Sequence, residues 1–222
     1  MGSLRAVGAS WLQGLDVVER PDLIIYSSDA TLAAVAALLA ETVGIDLDTG
    51  ADVRALQPAI ALEYPVPAGT PLLVIGSESE PVFYDLRDFA VVAVAARPPA
   101  DPHPPVALVG VHGFSDMSAA RDSTFPMQTI DDWGIDDVMG LAIDLASRRG
   151  GAIAVVFDLA VLDPAFDADG TIPGGLDMRR LLRAARSCGR RPEIAAAGFI
   201  RAGSDQNLVH AILSFCAGLV LR

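Results

Sequence analysis

Two carboxylates close one apolar run. Residues 154 to 166 read AVVFDLAVLDPAF, with Asp158 ending the run, Asp163 joined to Pro164, and Ala160 between them. Carboxylates at a strand end suit oxygen coordination of a hard divalent cation, or general acid–base work. Glu78 and Glu80 in GSESE form a second acidic pair of that kind. Ser77 or Ser79, His112 and Asp158 are the residue types of a nucleophilic triad, but GSESE is not a G-x-S-x-G elbow. Each group also has a plainer reading. Asp163-Pro164 is a turn initiator. Asp158 can cap the turn that follows it. Pro173-Gly174-Gly175 is a tight turn whatever else it does. His112 reads as a satisfied turn histidine, His103 as exposed among prolines, and His210 as solvated. Glu78 and Glu80 read as a wet loop pair.

These groups need a frame, and the chain alternates apolar strands with helices. Strands are expected at Asp22–Tyr26, Pro71–Gly76, Phe89–Ala96, Val106–Gly113, Ala152–Asp158 and Ile194–Ile200. Ser28 or Asp29 can cap a helix over TLAAVAALLAETV, which stops at Gly44. Asp131–Arg149 reads as a helix with Ile135, Val138, Met139, Ala142, Ile143 and Ala146 on one stripe. Met178–Arg186 is a second helix, with Arg179, Arg180, Arg183 and Arg186 on its polar face. Ser204 caps a closing helix whose inward side carries Leu208, Val209, Ile212, Leu213 and Cys216. RPPADPHPP, residues 97–105, is a stiff surface loop. Continuously apolar strands between helices predict one α/β domain over residues 1–222, a three-layer α/β/α sandwich around a mostly parallel sheet. In such sheets, ligands sit beyond the carboxyl ends of the strands.

Composition narrows the function classes. A formal net charge of -12 and a pI near 4.5 argue against a nucleic-acid or anionic-membrane surface. Cys188 and Cys216 show neither metal spacing nor a disulfide framework, and MGSLRAVGASWLQGL lacks a signal-peptide core, so the expectation is a cytoplasmic protein. A 52% hydrophobic composition and a mean hydropathy of +0.42 point to a large core or to apolar surface covered by another subunit.

FDLAVLDPAFDADGTIPGGLD, Phe157–Asp177, resembles the D-x-D-x-x-D-P and P-G-G-L signature of the arginase/agmatinase (ureohydrolase) superfamily. VALVGVHGFSD is similar to its G-x-R-G-F-x-D turn, with His112 at the arginine. PLLVIGSESE stands where that family has a strand ending in G-G-D-H-S. The resemblance runs from about residue 71 to residue 203. It implies an arginase-like fold holding two manganese ions that supply a hydroxide to a guanidinium or amidine carbon. Most implied ligands are missing. The D-x-D pair becomes Asp158 and Ala160, and the G-G-D-H-S histidine falls on Ser79. D-A-H-x-D falls on Ala95, Ala96, Arg97, Pro98 and Pro99, and no acid stands near Arg201 or Gly203 for the late glutamate. Asp163 matches an aspartate that the resemblance makes structural. The segment between Tyr26 and Pro71 is where the chain is expected to have lost length.

Three functions follow as expectations. The first is a non-catalytic ureohydrolase-like subunit: a vestigial site at Asp158, Asp163, Glu78 and His112, no metal or cofactor, and a homo-oligomer or a hetero-oligomer with an intact relative. The arginine face could then meet an acidic partner. The second is a divergent Mn²⁺-dependent hydrolase of guanidino or formimino compounds, rebuilt around the same four residues. The third is the metal-free triad.

Overall fold

The computed structural model describes residues 4–6, 24–27, 45–47, 54–55, 71–99, 105–113, 123–166, 172–203 and 205–219. The expected helix after Tyr26, the Ser204 cap and His103 lie outside these residues, as does most of the segment between Tyr26 and Pro71. Strands β1 (Leu4–Ala6) and β3 (Ile45–Leu47) form an antiparallel pair. The main sheet contains β2 (Ile24–Ser27), β4 (Arg54–Ala55), β5 (Leu72–Gly76), β6 (Ala90–Val94), β7 (Ala107–Val111), β8 (Thr124–Pro126), β9 (Ile153–Asp158) and β10 (Ile194–Ile200). Its order is β4-β2-β5-β10-β9-β6-β7-β8, and every pairing is parallel.

The helices are α1 (Ser79–Asp85), α2 (Met127–Trp133), α3 (Ile135–Ser147), α4 (Met178–Gly189) and α5 (Asp205–Leu219). Strand side chains alternate between two cores, as a pleated strand requires. Leu73, Ile75, Val92, Val94, Val155, Phe157 and Phe199 pack with α2 to α5. Leu72, Val74, Val91, Ala93, Ala154, Val156 and Ile200 pack with Val82, Phe83 and Leu86 of α1. This is the expected α/β/α sandwich, and its two covered faces explain why the central strands are apolar throughout. Gly198 makes room for α1. A methyl group there would lie 2.7 Å from Val82 Cγ1 and 3.1 Å from Leu86 Cδ1.

Three elements differ from expectation. The helix read over Asp131–Arg149 is two helices, because Gly134 at φ 88° interrupts the ladder. The predicted stripe on α3 is nevertheless the buried one. The segment read as a wet GSESE loop winds into α1 at Ser79. The polar face of α4 is partly used within the chain: Arg180 reaches Asp131 at 2.7 Å and Arg183 pairs with Asp136. Arg179 and Arg186 remain exposed.

Cys188 of α4 and Cys216 of α5 are buried, and burial pushes both thiols up to about 12. A thiol needs ionisation and access to react. Both should therefore resist a water-soluble thiol reagent at neutral pH in the native protein, and both should label fully in denaturant. Fast native labelling of either would contradict the packing of α4 on α5.

Candidate functional site

Parallel register lines up the strand ends. Ile200 pairs with Gly76 on one side and with Asp158 on the other, and Val94 of β6 pairs with Phe157. Asp158 therefore sits at the middle of the carboxyl edge. Below it, Phe157 stacks on Phe199 at 5.4 Å, and Phe199 meets Phe215 edge-on at 6.0 Å. Beyond it the chain makes one 3-10 turn, Leu159–Val161. Leu159, Val161 and Leu162 enter the core and are fully buried, while Ala160 remains half-exposed. The Ala160 amide donates to Asp158 Oδ1 at 3.0 Å, so Asp158 caps its own turn. Burial pushes the Asp158 carboxyl up, against that bond, which draws it down.

Asp163 has a different task. Its Oδ1 accepts from the Ala165 amide at 2.9 Å, and its Oδ2 accepts from the Gly174 amide at 2.7 Å. Those bonds hold its carboxyl below the usual range, with smaller help from the Gly175 amide and the nearby His112. The Asp163 amide donates to Leu176 O, and the Leu176 amide donates to Val161 O, both at 2.9 Å. Pro173-Gly174-Gly175-Leu176 is thereby stitched to the turn after β9. Gly175 permits this approach, because a methyl group there would overlap Val161 O and stand 2.7 Å from Asp163 N.

His112 follows β7 and is 8% exposed. Its Nδ1 lies 2.8 Å from Gly110 O and its Nε2 lies 3.2 Å from Ile172 O. Both ring nitrogens are thus turned toward backbone carbonyl oxygens. Asp163 and His112 thus come together, as parts of one loop anchorage. Nothing in the sequence pointed to Ile172 O as the histidine's partner, since it lies sixty residues away.

The other candidates stay apart. Glu78 is exposed at the start of α1, where its side chain makes no capping bond. Four strand steps separate the ends of β5 and β7, about 19 Å at ordinary spacing. That distance excludes a triad of Ser77 or Ser79 with His112, and it excludes one site containing both Glu78 and His112. Arg97 is exposed just beyond β6, beside the end of β9. Arg201 follows β10, where its amide donates to Gly76 O and its Nε reaches Asp205 at 2.8 Å. Among the described residues, no three His, Cys, Asp or Glu side chains converge as a metal site would require.

The sequence profile of the Arginase family matches residues 66–200. The chain belongs to the arginase family. Its fold is similar to that of formimidoylglutamase from Bacillus subtilis subsp. subtilis str. 168, with a TM-score of 0.65 at 14% identity over 94% of this chain and 89% of that one. The agmatine ureohydrolase of Thermoplasma volcanium gives a TM-score of 0.63 at 13% identity, covering 91% and 92% of the two chains. Arginase from Bacillus cereus gives 0.62 at 15% identity, covering 90% and 97%. No curated protein sequence matches the chain.

The arginase-family resemblance implies two manganese ions, and the described residues do not fit them. Of the implied ligands only Asp158 is present, and it is engaged with the Ala160 amide. Position 160 offers a methyl group, Ser79 opens α1, and Arg97 stands where a neutral imidazole is expected. A guanidinium is a fixed positive charge and opposes a cation beside it.

Proposed function

We propose that this arginase-family chain is non-catalytic and serves as a structural or regulatory subunit of an oligomer, in the cytoplasm. The observation that carries the reading is the end of β9: one carboxylate, bound to its own turn, with alanine at the second ligand position. Asp163 and His112 add no chemistry, because both are committed to loop anchorage. Elemental analysis after manganese loading is the direct test, with no stoichiometric Mn²⁺ expected. Two ions per chain, with hydrolysis of a guanidino or formimino compound, would establish a divergent Mn²⁺-dependent amidinohydrolase instead.

Restoring one ligand is expected to change little. Ala160 is half-exposed, so Ala160→Asp should fold. The variant should still release no urea or formamide from arginine, agmatine, guanidinobutyrate or formiminoglutamate, because Arg97 and Ser79 remain. Hydrolysis by this single variant would show that the rest of a site is intact.

The oligomer part rests on apolar surface. Trp133 is 58% exposed, Phe166 49% and Leu141 42%, in a chain whose mean hydropathy is already positive. Among the described residues no helix is long and apolar enough to cross a membrane. Light scattering on the chain, alone and co-expressed with an intact relative, should show an assembly. A monomer in both cases would overturn this part and leave small-molecule binding at the strand ends as the better reading.

A further inference from the structure

We propose that the outer face of α3 is a self-complementary contact, on which a second copy of this chain docks its own α3 in antiparallel orientation. This rests on the oligomer reading above and names one surface of that assembly.

The face is a single stripe. Asp137, Leu141, Asp144 and Arg148 follow one another at steps of four, three and four residues, and all four are exposed. At about 3.6 residues per turn, those steps keep them on one line along the helix, opposite the buried stripe. Leu141 is 42% exposed near the middle of that line. Arg148 is the C-cap and keeps helical backbone angles, so it continues the line. The adjoining flank of α3 finds its partners within the chain, where Asp136 pairs with Arg183 and Arg191 lies against Gly140. Asp137, Asp144 and Arg148 make no ion pair among the described residues.

Charge decides the orientation. Steps of four, three and four read the same in both directions. Two copies laid antiparallel therefore set Asp137 against Arg148 of the second copy, and Arg148 against its Asp137. A two-fold contact makes each such pair twice. Laid parallel and in register, the same helices would set every charge of the stripe against its like. The antiparallel arrangement also brings the two Leu141 side chains within one turn of each other beside the two-fold axis. Asp144 is the unfavourable member, because both copies of it come near that axis, each four residues from its own Arg148. The helix dipole accounts for an acid in the first turn of α3 and a base at its end. It has no use for an exposed leucine between them.

Sedimentation of the full chain over a range of concentrations tests the contact. The wild type should self-associate. Asp137→Arg alone and Arg148→Asp alone each turn two attractive pairs into two repulsive ones, so each should weaken association about tenfold. An equimolar mixture of these two variants should recover it, because both pairs between unlike chains are again of opposite sign. Two further variants leave the helix ends intact. Leu141→Ala should weaken association, and Asp144→Asn should tighten it. Asp88→Asn, just beyond α1, makes the same change in net charge and should do little. If the wild type assembles and the mixture and Asp144→Asn show no gain, the α3 contact is overturned while the oligomer reading stands. A wild type that is monomeric alone but joins an intact relative overturns the self-contact and keeps the oligomer reading. A monomer in both cases overturns both.

Discussion

Gly175→Ala should destabilise the protein by about 3–5 kcal/mol, although it adds one methyl group to a surface motif. The methyl has nowhere to go. It would overlap Val161 O and stand 2.7 Å from Asp163 N and 2.8 Å from Leu162 C, all backbone atoms that cannot rotate aside. Relief requires separating the loop from the turn after β9. That breaks the Asp163-to-Leu176 and Leu176-to-Val161 hydrogen bonds, each worth about 1 kcal/mol. It also lifts Leu176, now fully buried, which adds about 2 kcal/mol. Gly174→Ala is the control. Gly174 sits at φ 91° with open space where its methyl would go, so only backbone strain of about 1–2 kcal/mol is expected. In thermal melts the Gly175 variant should lose roughly 10 °C or more, and the Gly174 variant clearly less. Equal losses would show that the contact at 175 does not decide the effect.

This contrast explains why the motif was legible before its purpose was. Asp163-Pro164 and Pro173-Gly174-Gly175 read as turns from local chemistry alone, and they are turns. That Asp163 holds Gly174 across eleven residues is a tertiary fact, invisible to a reading of dihedral preferences. The strands β5, β6, β7, β9 and β10 were legible because each is buried on both faces and therefore apolar throughout. Helix α1 was not, since GSESEP opens with turn-forming residues and the helix has only seven residues to show a period. The break at Gly134 was masked because α3 keeps its apolar stripe in phase up to the break. At the candidate site, the absence of Ala160's carboxylate needed only the sequence. The separation of Glu78 and Ser77 from His112 needed the strand order β5-β10-β9-β6-β7, which no local pattern encodes.

The same distinction between local preference and tertiary contact reverses the sign of a helix substitution. Within an isolated helix, replacing glycine by alanine gains about 1 kcal/mol. Gly218, inside α5, should instead lose about 2–4 kcal/mol on Gly218→Ala. Helices α4 and α5 cross in backbone contact there. A methyl on Gly218 would overlap Arg186 O and lie 2.8 Å from the Gly189 Cα, and one on Gly189 would overlap Phe215 O and lie 2.9 Å from the Gly218 Cα. The helices must move apart, which loosens Cys188, Phe215 and Leu219 from the core that also contains Phe199 and Phe157. Movement there reaches the residues directly beneath Asp158. Because both glycines serve one crossing, the first substitution should open a gap that the second then occupies. Gly189→Ala and Gly218→Ala together should therefore cost clearly less than the sum of the two alone. The denaturant midpoints of both single variants and the double variant measure this. A stabilised Gly218→Ala would mean that helix propensity outweighs the crossing and that α4 and α5 lie further apart than described.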